Sequence, residues 1–239
     1  MSYSADEVMT VAAARELTDR TVCFVGIGLP STAANLARLS HAPRTVLVYE
    51  SGKIGSKPAT LPLSIGDGEL AETADAVVPV PEIFNYWLQG GRIDVGFLGA
   101  AQIDRRGNLN STVIGDYDRP KVRLPGGGGA PAIAAMAKQV IVIIRQSQRT
   151  FVEQVHFRSS VPGSGAMVVI TDLGELRLDP DERELVLTRV HPGVSVDQVR
   201  SETAWDLRVA DELAEAEAPS EEDLRVLREL KSALGEAAV

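Results

Sequence analysis

A lone cysteine, Cys23, in a chain of 239 residues excludes any internal disulfide. It lies in the apolar run TVCFVG, so a buried structural thiol is expected. Histidine is almost as scarce. His41, His156 and His191 stand far apart and match no ligand spacing, so no metal centre is expected. Positive charge is in deficit: 24 Lys and Arg face 33 Asp and Glu, and the formal net charge of −9 argues against a nucleic-acid partner. Part of that charge is local, in the acidic tail from Asp211 to Glu236, which reads as a solvated helix face. Long apolar runs are missing too. No stretch nears the roughly 20 residues of a membrane span, and the start MSYSADE lacks the basic-then-apolar pattern of a secretory signal. A membrane is therefore not expected as a partner, and a cytoplasmic location is.

What remains is the balance of a folded protein, 44% hydrophobic and 24% charged, long enough to bury a sizeable core. A single domain over residues 1–239 is expected. Ser4-Ala-Asp-Glu7 is a capping-box pattern, and Val8, Val11 and Ala12 follow at helical spacing. TVCFVGIGLPSTAANLARL reads as strand, glycine turn and helix, and the alternation continues through strands at Val46, Ala76 to Val80, Ile93 and Gln139, with a helix at Ala130 to Lys138. This pattern predicts an α/β fold, an open, mostly parallel sheet flanked by helices. After Pro162 the segments shorten, with turns at Asp172-Leu-Gly174 and His191-Pro-Gly193, and a smaller mixed or antiparallel C-terminal layer is expected. Ser220-Glu-Glu-Asp223 opens a last helix whose Leu224, Leu227, Leu230 and Leu234 form one apolar face.

The chemistry concentrates in two loops. In VLVYESGKIGSKP a buried strand ends at Tyr49, and Glu50 follows on a glycine turn, at the strand end where ligands gather in parallel sheets. In LPGGGGAPAIAAMAK, four glycines, Gly126, Gly127, Gly128 and Gly129, precede a helix; such a loop is either merely flexible or keeps its amides bare for an anionic oxygen. A carboxylate nucleophile and a separate set of amides are what acyl transfer through a covalent intermediate requires. The Gly26-Ile27-Gly28 turn lacks the third glycine of a dinucleotide fingerprint, which disfavours a nicotinamide or flavin cofactor. AAQIDRRGNLNST reads best as a structural turn, and Arg119, Lys121 and Arg123 are either a solvated cluster or an attraction for an anionic substrate or coenzyme.

Taken in order, VGIGLPS, YESGKIG, AAQIDRRGNLN and PGGGGAP resemble the turn, the glutamate motif, the Gln-x-Asp-x-x-Gly-Asn segment and the glycine loop of class I (glutamate-type) coenzyme A transferase β subunits. The resemblance spans most of the chain. It implies a homologous α subunit as partner, with the active site at the interface of the two. It implies no permanently bound cofactor, the coenzyme A thioester being a substrate exchanged with a small carboxylic acid. Glu50 would be the nucleophile, attacking an acyl-CoA to form a mixed anhydride and free thiolate, which returns to give a glutamyl-CoA thioester and the released acid. Gly126 to Gly129, Ala130, Gly28 and Ser51 would be substrate-binding, with oxyanion support from amides around Gly127 to Ala130. Tyr49-Glu50-Ser51-Gly52 is more similar to the glutaconate and 3-oxoadipate branch than to the Ser-Glu-Asn-Gly of many 3-oxoacid transferases, which favours a dicarboxylate-type acyl group. The glycine loop lacks the Ala-Met-Asp that often follows. Two other functions stay open: an acyl-CoA hydrolase on the same scaffold, and a non-catalytic structural subunit.

Overall fold

Ser4 and Glu7 open the first helix as their spacing predicts. The Glu7 amide donates to Ser4 Oγ at 3.3 Å and the Ser4 amide to Glu7 Oε2 at 2.8 Å, so two donors the helix leaves over are satisfied reciprocally. This helix is α1, Ala5–Arg15. The computed structural model describes residues 2–237, with side chains through residue 232. They fall into two units, one running to Phe97 and resuming at Pro219, the other Leu98–Ala218.

In the first unit the chain continues through β1 (Val22–Val25), α2 (Leu29–Leu39), β2 (Val46–Tyr49), β3 (Lys53–Ile54), α3 (Gly68–Glu72), β4 (Ala76–Val77), α4 (Val80–Glu82) with a π-helical stretch Ile83–Leu88, and β5 (Val95–Leu98). Strand β1 pairs in parallel with both β2 and β5, and β3 and β4 extend the β2 edge antiparallel. The parallel strands are almost wholly apolar and buried, as strands covered by helices must be. Cys23 is fully buried among them, and burial pushes its thiol up. The C-terminal helix, Glu221–Ala237, packs on α1 and α2 and buries Leu224, Leu227 and Leu230, each worth about 2 kcal/mol of burial. Leu234, expected on the same face, lies outside the described side chains.

The second unit holds two small hairpins, β6 (Gln102–Ile103) with β7 (Leu109–Asn110) and β8 (Val113–Gly115) with β9 (Pro120–Arg123). Then come α5 (Ala130–Met136), β10 (Gln139–Ile143), β11 (Ala166–Ile170), β12 (Gly174–Leu178), β13 (Leu185–Val190), α6 (Val196–Ser201) and β14 (Arg208–Glu215). Strands β10 and β11 are parallel, β11 to β13 antiparallel, and β13 and β14 parallel, which is the mixed C-terminal layer expected. No helix among the described residues is long and apolar enough to cross a membrane.

Two expectations need correction. Of the strand read over Ala76 to Val80 only Ala76–Val77 forms, exposed and antiparallel, because Pro79 and Pro81 cannot donate to a ladder. In the acidic tail, Asp211 to Glu215 belongs to strand β14, mostly exposed and paired in parallel with β13, and the helix begins only at Glu221.

Two ion pairs join α1 to the C-terminal helix, Arg15 to Asp223 at 2.9 Å and Arg228 to Glu7 at 2.7 Å. The Arg228 hydrogen bond, followed by the Ser4 amide, holds the Glu7 carboxyl down at about 2 against an ordinary 4.5. A depressed carboxyl stabilises the fold above its unfolded pKa, and that contribution fades as pH falls through the interval towards 2. Glu7→Gln should cost about 1 kcal/mol at neutral pH. In urea titrations it should also flatten the acid loss of stability, and a variant with the wild-type acid profile would refute this role.

Candidate active site

At the end of β2 the Gly52 amide donates to the Tyr49 carbonyl at 2.9 Å, which puts Glu50 and Ser51 at the two central positions of a tight turn. The chain then folds back as β3, with Ile54 opposite Val48. Only glycine serves at position 52: its φ is +97°, and an added Cβ would stand 2.0 Å from the Val78 carbonyl oxygen. The Val78 amide in turn donates to the Gly52 carbonyl at 2.9 Å, so backbone presses on backbone with no side chain to yield. On the other side Ser51 Oγ and Lys53 Nζ both donate to the Ile65 carbonyl, at 2.5 and 3.1 Å. Glu50 is thus fixed through its neighbours. Its own carboxylate is half-buried and accepts no hydrogen bond or ion pair among the described residues.

Beside this turn lies the end of β1. Val25 pairs with Tyr49, so the Gly26-Ile27-Gly28 turn and Glu50 follow neighbouring parallel strands at the same edge. Gly28, at φ +74°, leads into α2, and the structure therefore brings Gly28, Glu50 and Ser51 to one edge of one unit.

Beneath that edge runs a buried polar chain that the sequence reading missed. The Tyr49 hydroxyl lies 3.5 Å from Ser31 Oγ, Asn35 Nδ2 donates to the Ser31 carbonyl at 3.0 Å, and Arg38 donates to Asn35 Oδ1 at 3.2 and 3.1 Å and to the Pro58 carbonyl at 2.8 Å. Burial pushes the Tyr49 phenol up and the Arg38 guanidinium down, so Tyr49 stays protonated. The signal was present: Ser31, Asn35 and Arg38, spaced by four and three, put one polar stripe on a helix otherwise rich in alanine and leucine.

The glycine loop is in the other unit. Gly126 has φ +100° and its amide donates to the Ser111 carbonyl at 2.8 Å, while the Leu124 amide donates to the Thr112 carbonyl at 3.0 Å. The Ala130 amide is spent on the Gly127 carbonyl at 2.9 Å. The amides of Gly127, Gly128 and Gly129 meet no acceptor among the described residues. The segment from which the loop hangs is set by the Gln-x-Asp-x-x-Gly-Asn stretch, which proves structural. Asp104 Oδ1 accepts the amides of Arg106 and Asn108 at 3.0 and 3.1 Å, and buried Asn110 donates to Gln102 Oε1 at 2.8 Å and to the Val113 carbonyl at 2.7 Å.

An unpaired carboxylate on a rigid turn at the end of a parallel strand has the form of an acyl-transfer nucleophile, and the glycine loop of the other unit has, in its own right, amides free for an anionic oxygen. The chain belongs to the coenzyme A transferase family, whose model matches residues 7–202. It is 58% identical to the β subunit of the 3-oxoadipate CoA-transferase of Pseudomonas knackmussii, over 97% of this chain and 94% of that one. The β subunit of the glutaconate CoA-transferase of Acidaminococcus fermentans is 32% identical over 95% and 92%. The crystal structure of glutaconate coenzyme A-transferase from the same organism superposes with a TM-score of 0.90 at 29% identity, covering 98% of each chain.

Gly52→Ala should destabilise the protein by about 2 kcal/mol or more, since it adds a left-handed alanine and a backbone clash. Thermal unfolding measures this, and a melting temperature within error of wild type would show that the turn relaxes freely.

Proposed function

We propose that this chain is the β subunit of a heteromeric CoA-transferase that moves coenzyme A from an acyl-CoA to a short 3-oxo dicarboxylic acid such as 3-oxoadipate. The observation that carries the reading is Glu50, a half-buried carboxylate without a partner on a turn that backbone contacts hold rigid. A hydrogen-bonded or ion-paired carboxylate is a poorer nucleophile, because its lone pairs are already committed. Partial burial supports attack further by stripping hydration.

In this reading a Glu50 oxygen attacks the thioester carbonyl carbon, and the bond to sulfur breaks as the thiolate leaves. The thiolate then attacks the glutamyl carbonyl carbon of the anhydride, expelling the substrate acid as its carboxylate and leaving coenzyme A on Glu50. The acceptor carboxylate runs the same steps backwards. The amides of Gly127 to Gly129 are assigned to the negative charge that develops on carbonyl oxygen, and Gly126, Ala130, Gly28 and Ser51 to shaping the loops that receive the substrate. No permanently bound cofactor enters, and the α subunit supplies the rest of the acid pocket. A cytoplasmic setting accompanies the reading, since thioester and acids are soluble metabolites.

Glu50→Ala in the assembled heteromer should lower turnover by at least about 10³-fold. Product analysis should show, for the wild type, that thioester is conserved and that reaction requires the acceptor acid. Release of free coenzyme A without acceptor would favour the hydrolase, and undiminished activity of Glu50→Ala would make this chain a structural subunit.

A further inference from the structure

The hairpin of β8 and β9 has no part in the transfer steps on Glu50, yet its tip is rigid. Asp116 Oδ1 accepts the amides of Asp118 and Arg119 at 2.9 and 3.0 Å, and the Gly115 amide donates to His156 Nδ1 at 3.0 Å. Tyr117 stacks on Phe157 with ring centres 5.3 Å apart, and the Arg123 guanidinium sits 5.0 Å over the Tyr117 ring while donating to the Tyr117 carbonyl at 3.0 Å. Arg119, Lys121 and Arg123 are exposed, and the side chains of Arg119 and Lys121 make no hydrogen bond or ion pair among the described residues. Elsewhere Arg15, Arg44, Arg189, Arg225 and Arg228 are each matched to a carboxylate. Arg119 and Lys121 thus stand without an ion pair on a braced hairpin that also carries stacked aromatics and, at its tip, Asp116 and Asp118.

We propose that this hairpin docks the phosphorylated nucleotide end of the coenzyme A thioester, an inference that rests on the transferase reading. Cations with an adjoining aromatic pair match phosphates joined to a flat base, whereas a small carboxylic acid offers neither the ring nor comparable charge. Lys121 and Arg123, two residues apart on β9, project from one face of the strand. Gly127 lies four positions beyond Arg123, at most about 14 Å of chain, so the long pantetheine arm can run from the hairpin to the unspent amides of the glycine loop.

The test is calorimetric titration of coenzyme A and of 3′-dephospho-coenzyme A into the heteromer, comparing wild type, an Arg119→Gln/Lys121→Gln double variant and an Arg200→Gln control on α6. Binding requires no turnover, so the result stands even if Glu50 proves not to form a covalent intermediate. The double variant should bind coenzyme A at least about tenfold more weakly, with a shallower salt dependence, and the control should match wild type. A smaller loss for the dephospho compound assigns the cations to the 3′-phosphate, and an equal loss assigns them to the diphosphate. Wild-type affinity in the double variant overturns the proposal. So does failure of that variant to assemble with the α subunit, seen by size-exclusion chromatography, which would make the hairpin an inter-subunit contact.

Discussion

A main-chain carbonyl, that of Val78, decides the geometry around Glu50. It lies where any side chain at position 52 would have to be, so the turn closes only with glycine and only in its left-handed conformation. The same residue accepts no compromise, because the Val78 amide is bonded back to the Gly52 carbonyl. The isolation of the Glu50 carboxylate depends on this. A carboxylate on a mobile loop would find a lysine or an amide to pair with, while one carried on this turn stays half-buried and unpaired.

The ground below the turn is stiffened differently. Tyr49, Ser31, Asn35 and Arg38 form a hydrogen-bonded chain through the space between β2 and α2, where apolar packing would be the simpler solution. Buried polar groups of this kind cost desolvation unless satisfied, and these are satisfied in series down to the Pro58 carbonyl. The chain couples the start of α2, and with it Gly28, to the strand that ends at Glu50. The glycine loop is treated the same way in its own unit: Asp104 and Asn110 order the preceding segment, and that segment holds Gly126 while leaving the next three amides unspent.

The sequence made the architecture legible where periodicity was strong. Apolar four-residue runs became parallel strands, the capping box formed, and Leu224, Leu227 and Leu230 of the last helix were buried on one face as spaced. It failed where local chemistry overrode pattern, as at Pro79 and Pro81, or where a run of acidic charge was taken for a helix face, as in Asp211 to Glu215. Glu50 was legible because a charge on a glycine turn after a buried strand is unusual. The clash with Val78 was not, since it joins residues far apart in the chain and no spacing encodes it. The polar stripe of α2 stood in the sequence but was hidden among small residues that read as core.

The most direct measurement is intact-mass spectrometry of the chain, assembled with its α subunit, after incubation with a 3-oxo dicarboxyl-CoA and mild borohydride. Hydride reduces a thioester but leaves a carboxylate untouched. Glu50 should become the alcohol, one oxygen lighter and two hydrogens heavier, with peptide mapping confining the change to the YESGKIG segment. A chain whose mass is unaltered while product still forms would contradict a covalent intermediate on Glu50.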